Sequence, residues 1–159
     1  MKKVIISPYS RKLRNKEGSN PKDYPFWGDV ILGLKEKGIY VCQIGVNGEK
    51  KLDNVDEFII NKPLKELKQM LMDYDTWVSV DNFCQHLAWL YGKPGVVIFG
   101  KSDPSIFGHP ENENLLKDRI YLRKGIAQFQ MWEQTEYNKE CFIEPGVVID
   151  AILRRISNE

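Results

Sequence analysis

A chain of 159 residues, 42 % hydrophobic and 28 % charged, is sized for one domain with a proper core and composed like a soluble globular protein. Its formal net charge of +1 offers no general attraction to nucleic acid or to an acidic membrane surface, and no apolar run approaches the roughly 20 residues that span a bilayer. Cys42, Cys84 and Cys141 form an odd set without C-x-x-C spacing, and the brief apolar stretch before Pro8 is too short for a signal-peptide core, so a reduced, cytoplasmic protein is expected.

Val4-Ile5-Ile6 reads as a first strand, closed by Ser7-Pro8. A polar, basic stretch over 9–21 follows, with Gly18-Ser19-Asn20-Pro21 as a loop signal. A helix is predicted to start near Tyr24-Pro25, because Trp27, Val30, Ile31 and Leu34 recur at helical spacing. Gly38 ends it, and strands are predicted over 39–44 and 57–60. Pro63 opens a helix striped by Leu64, Leu67, Met70 and Leu71. A strand over 77–80, a helix over 82–91 and a strand over 95–99 come next, and a sixth strand is predicted over 119–122. Residues 127–140 read as irregular and aromatic, and a last helix runs over 146–156.

Strands alternating with helical patterns predict an α/β fold. The expectation is a single domain over 1–159, one Rossmann-like three-layer sandwich whose mostly parallel sheet is covered on both faces. No internal repeat, low-complexity tract or linker interrupts it.

In open parallel sheets, ligands bind just outside the carboxyl ends of the strands, which directs attention to residues at strand-to-helix handovers. Asp81 and Asn82 sit at one. Either would cap the following helix, and the first-turn N–H groups could also hold a phosphate. His86 lies about one turn further, placed to look back towards that phosphate or to be merely structural. His109 reads as loop structure. Ser102 and Asp103 follow Gly100 at the end of another strand, where Asp103-Pro104 is also a common turn. Arg11, Lys12, Arg14, Lys16 and Lys22 hang on the same rim; they are a solvated surface or a set of diphosphate partners. Neither a P-loop nor a G-x-G-x-x-G fingerprint occurs, and the histidines and cysteines show no zinc spacing.

Taken together, these segments resemble the heptosyltransferase-like glycosyltransferases (the ADP-heptose:lipopolysaccharide heptosyltransferase family), in their C-terminal, donor-binding half. That half opens with an apolar strand and a loop bearing a lysine before Trp-Pro and a helix; here the stretch is Lys22-Asp23-Tyr24-Pro25-Phe26-Trp27. Its later pattern is D-[ST]-G-x-x-H-L-A, then G-x-P, then an apolar strand ending F-G-x-[ST]-D-P. This chain has Asp81-Asn82-Phe83-Cys84-Gln85-His86-Leu87-Ala88, then Gly92-Lys93-Pro94, then Phe99-Gly100-Lys101-Ser102-Asp103-Pro104. The likeness reaches to about Gly108 and is weaker from Leu115.

The resemblance implies one half of a GT-B glycosyltransferase, with Lys22 reaching the donor's phosphate or sugar. It also implies Asp81, Asn82, Phe83 and His86 around the diphosphate and the turn with Ser102 and Asp103 on the rim; Arg11 and Arg14 are expected ligand partners from the charge of their loop alone. It implies no metal or other cofactor. Two departures stand out: Asn82 replaces Ser or Thr, and Phe83 replaces a Gly expected where backbone nears phosphate. The acceptor site and catalytic base belong to the family's other half. Binding of a nucleotide or nucleotide-diphosphate sugar is therefore expected, with transfer needing an acceptor-binding partner chain or a second copy. The alternatives are a non-catalytic protein that senses or sequesters a nucleotide-derived metabolite, and a structural subunit whose contact surface uses Phe129, Trp132 and Tyr137.

Overall fold

The computed structural model describes residues 1–14 and 16–157. Its sheet comprises β1 (Lys3–Ser7), β2 (Tyr40–Gly45), β3 (Glu57–Ile60), β4 (Thr76–Val80), β5 (Val96–Phe99) and β6 (Glu113–Leu116). All neighbours pair in parallel, in the order β3-β2-β1-β4-β5-β6. The chain steps outwards from β1 to β3, then crosses to the other side of β1 and steps outwards again. The direction reverses between β1 and β4, and a doubly wound sheet leaves its binding crevice at that point.

Side-chain alternation builds a core on each face. Val4 and Ile6 of β1 lie under α1 (Trp27–Glu36) and α5 (Pro145–Ser157), among Trp27, Val30, Ile31, Leu34, Val148, Ala151 and Ile152. Ile5 faces α2 (Leu64–Asp73) and α3 (Phe83–Leu90), among Leu67, Leu71, Cys84, Leu87 and Ala88. Each fully buried aliphatic contributes about 1.5–3 kcal/mol. Coverage on both sides is why Val4-Ile5-Ile6 and Val96-Val97-Ile98-Phe99 are continuous apolar runs. Gly95, just before β5, has no room for a side chain: a Cβ there would lie 2.3 Å from Trp77 Cε2.

The sixth strand is not at 119–122. It is Glu113–Leu116, paired with β5, while Arg119–Tyr121 is a 3-10 turn capped by Asp118, whose Oδ1 accepts the Ile120 N–H at 2.9 Å. As an edge strand, β6 buries only Leu115, so no apolar run marks it. Ile120, which suggested a strand, is 74 % exposed. Helix α1 starts at Trp27 rather than near Tyr24. Tyr24 instead packs edge-on against Phe26, Trp27 and Phe142, and its hydroxyl donates to the Ile143 carbonyl at 2.8 Å, which ties the tail to the start of α1. The irregular tail before α5 includes the 3-10 turns Gly125–Gln128, Trp132–Gln134 and Lys139–Cys141. Among the described residues no helix is long and apolar enough to cross a membrane.

Candidate functional site

A cleft of about 910 Å³ opens at the carboxyl ends of β1, β2 and β4. Four pieces wall it: the segment after β1, the connection after β2, the start of α3, and Trp132 with Glu133 from the tail.

Asn82 sets the shape of its floor. The residue is extended (φ −148°, ψ −170°), and its Oδ1 caps α3 by accepting the Cys84 N–H at 2.9 Å. Its amide nitrogen points to the Ser7 carbonyl at 3.2 Å, Ser7 Oγ at 3.0 Å and the Tyr9 carbonyl at 3.0 Å. Asn82 thus straps β1 to α3 and is satisfied by the protein itself. Beside it Phe83, 44 % exposed, presents an apolar face to the cleft. The helix directs first-turn N–H groups without intrahelical partners to the same place.

Lys22 reaches Asp81: Nζ lies 3.2 Å from Oδ2. Asp81 is buried, and its Oδ1 accepts from Gln85 Nε2 at 2.7 Å. The same ammonium stands 4.7 Å from the Trp132 ring centre. The loop that carries it is closed by Asn20, whose side chain accepts the Lys22 N–H and donates to the Arg11 carbonyl, both at 2.9 Å.

An acidic cluster completes the cleft, and nothing in the local sequence pattern had singled it out. Asp23 accepts the Ser10 N–H at 2.8 Å, and burial, reinforced by the charge of Glu49, pushes its carboxyl up to about 7. Burial likewise raises Glu49, which accepts the Val46 N–H at 2.7 Å. Burial raises Tyr9 as well, with both carboxylates adding to the effect. Fully buried Gln43 holds the Glu49 loop, donating to the Lys50 carbonyl at 2.9 Å and accepting the Leu52 N–H at 2.7 Å. A positional signal existed: Gly45-Val46-Asn47-Gly48-Glu49 follows an apolar strand, just as Asp81 does.

Of the expected residues, Arg11, Lys22, Asp81, Asn82 and Phe83 line this cleft. His86, Ser102, Asp103 and Arg14 are not among its lining. His86 is exposed on α3 with Nδ1 2.8 Å from Nε2 of His109, and Trp89 stacks on His109 at 4.8 Å. Partial burial, then the neighbouring imidazole, lowers the His86 pKa. Asp103 caps the short helix α4 (Pro104–Phe107) through Ser105 and takes a bidentate grip from Arg119, at 3.2 and 2.7 Å. The Arg119 bonds, foremost, hold its carboxyl down at about 2. Ser102 is buried next to it. Arg14 lines a second, adjoining pocket. Tyr137 donates to the Asp23 carbonyl at 2.7 Å, and Phe129 packs edge-on against Phe107. Among the described residues no group of three or more His, Cys, Asp or Glu is arranged to hold a metal ion.

No protein-family model and no curated protein matches this sequence. Solved structures do match it. The glycosyltransferase TibC from enterotoxigenic E. coli H10407, a dodecamer, shares 14 % identity over 99 % of this chain and 47 % of its own, with a TM-score of 0.65. TibC has also been solved in complex with ADP-D-β-D-heptose. ADP-heptose LPS heptosyltransferase II of E. coli shares 12 % identity over 99 % and 47 %, with a TM-score of 0.68. A family 9 glycosyl transferase from Veillonella parvula DSM 2008 shares 13 % over 99 % and 46 %, with a TM-score of 0.74. The chain spans about half the length of these structures. The fold is therefore that of one Rossmann-like half of a GT-B glycosyltransferase.

Proposed function

We propose that the cleft binds a nucleotide or nucleotide-diphosphate sugar and that the chain acts as a donor-binding half of a glycosyltransferase. The observation that carries this reading is the mixed polarity of a cleft at the sheet's switch point. Arg11, Lys12 and Lys22 line the same cleft as the start of α3, with Lys22 at Asp81 beside it, and charge-assisted donors with a helix N-terminus suit a diphosphate. Asp23 and Glu49 supply acceptors, which suit the hydroxyl donors of a ribose or sugar. Phe83 and Trp132 offer ring faces for an apolar or aromatic part. A simple phosphate site would need no acids, and a simple sugar site would need no such cations. The ADP-heptose complex of a structure with this fold lends support.

In transfer, Lys22 and the α3 terminus would stabilise charge developing on the leaving diphosphate. A facing wall, from another segment, a partner chain or a second copy, would position the acceptor and exclude water. Calorimetric titration with ADP, UDP, GDP and their sugar conjugates tests the reading. Binding to one nucleotide series, weakened by both Lys22→Met and Glu49→Gln, is expected. Absence of binding to all of them by the folded protein at millimolar ligand would overturn it.

A further inference from the structure

A second pocket of about 530 Å³ adjoins the cleft. It shares Arg11, Trp132 and Glu133 with the cleft and adds Arg14, Lys16 and the tail residues around Met131. The two cavities differ in charge. Among the described residues lining the cleft, Arg11, Lys12, Lys22 and Lys50 are matched by Asp23, Glu49, Asp81 and Glu133. Among the described residues lining the second pocket, Arg11, Arg14 and Lys16 face Glu133 alone. The Glu133 carboxylate is itself engaged, since Oε1 accepts the Arg14 N–H at 3.2 Å, while its carbonyl takes the Lys16 ammonium at 2.9 Å.

The pocket's apolar side is built with strain. Phe129 is 66 % exposed, and Met131 adopts the left-handed region (φ 70°), which bulky residues rarely enter without support. That turn sets Trp132, whose ring is fixed by the Arg123 guanidinium 3.7 Å from its centre. Arg123 is buried, donates to the Gln130 carbonyl, and leaves Nη1 without a hydrogen-bond partner among the described residues. A strained turn backed by a buried guanidinium holds the exposed Phe129 ring and the half-buried Trp132 ring beside an excess of cations, and water alone rewards neither feature.

We propose that this pocket is a second ligand subsite, which takes a phosphorylated sugar with its ring against Phe129, Met131 and Trp132 and its phosphate between Arg11, Arg14 and Lys16. The proposal stands on this pocket's own residues and does not require that the cleft hold a nucleotide. The recognised chemistry is the sugar phosphate, whether free or as part of a larger saccharide.

The test is titration with glucose 6-phosphate, with glucose as the uncharged control, on protein alone and on protein saturated with ADP. Glucose 6-phosphate is expected to bind in both cases, and at least about tenfold more tightly than glucose. Arg14→Ala with Lys16→Ala should weaken it about tenfold or more and leave ADP binding unchanged. Phe129→Ser, on the apolar side and clear of the basic loop, should weaken it as well. Failure of glucose 6-phosphate to bind, equal binding of glucose, indifference to these variants, or displacement by ADP would each overturn the second subsite. Should ADP itself fail to bind, the nucleotide reading falls, while the subsite is still judged on the protein alone.

Discussion

Lys22 and Asp81 form an ion pair at 3.2 Å on the floor of the cleft, with the carboxylate 8 % and the ammonium 23 % exposed at their side chains. The lysine that suits a ligand phosphate is therefore already the counter-ion of a buried acid. Lys22→Met strands that acid with Gln85 as its remaining side-chain partner, and should cost about 2 kcal/mol in chemical denaturation. Adding Asp81→Asn should restore most of the loss, since a neutral amide needs no counter-charge. A single variant as stable as the parent would mean that Asp81 does not depend on Lys22.

Asp23 should make stability depend on pH. Its folded carboxyl titrates at about 7 against an ordinary 3.8, so the folded state holds a proton that the unfolded chain releases. The associated stability is full at pH values below the unfolded pKa and is lost as pH rises through about 7. Asp23→Asn should remove this slope and leave the protein more stable than the parent by on the order of 1–2 kcal/mol at about pH 8, after allowance for solvent screening. In the parent, diphosphate affinity should also fall as pH rises through the same range, because the ionised acid repels the ligand. Urea denaturation at several pH values, with and without Asp23→Asn, measures the first effect.

Asn82 carries two jobs that separate by substitution. Asn82→Ala loses both the cap and the strap to Ser7 and Tyr9 and should cost about 2 kcal/mol. Asn82→Asp keeps an acceptor for the Cys84 N–H but loses the donors, and should fall between parent and alanine variant. If thermal or urea denaturation finds the aspartate variant as unstable as alanine, the strap stabilises the protein more than the cap does.

Gly95→Ala should destabilise by roughly 1–3 kcal/mol, because a Cβ 2.3 Å from Trp77 Cε2 forces the indole to move. The Trp77 ring also donates to the Lys93 carbonyl at 2.9 Å, so its displacement should shift tryptophan emission along with the thermal midpoint.

The sequence was most legible where local rules govern. Strands buried on both faces must be apolar throughout, so Val4-Ile5-Ile6 and Val96-Val97-Ile98-Phe99 announce themselves. Asp81-Asn82 announces a cap because both residue types offer a side-chain acceptor where a strand hands over to a helix, and the structure gives that role to Asn82. β6 was missed because an edge strand with one buried residue has no such requirement, whereas Ile120-Tyr121-Leu122 looks like a strand and is a surface turn. Glu49 escaped notice because its loop is held by Gln43, a polar residue inside an apolar strand.

By itself the sequence determined the alternation of strands and helices, the polar handovers at the strand ends and the basic loop after β1. Only the tertiary structure decided which of those residues meet. The crossing from β3 back to β4 sets Ser79 beside Ser7, and this brings Asp81 to Lys22 and Asn82 to Tyr9. The course of α3 and α4 likewise gives His86 to His109 and Asp103 to Arg119. Periodicity and capping act over a few neighbouring residues and are written locally. The partner of a side chain depends on strand order and crossover, which join residues as far apart as 7 and 82 through contacts that no local pattern encodes.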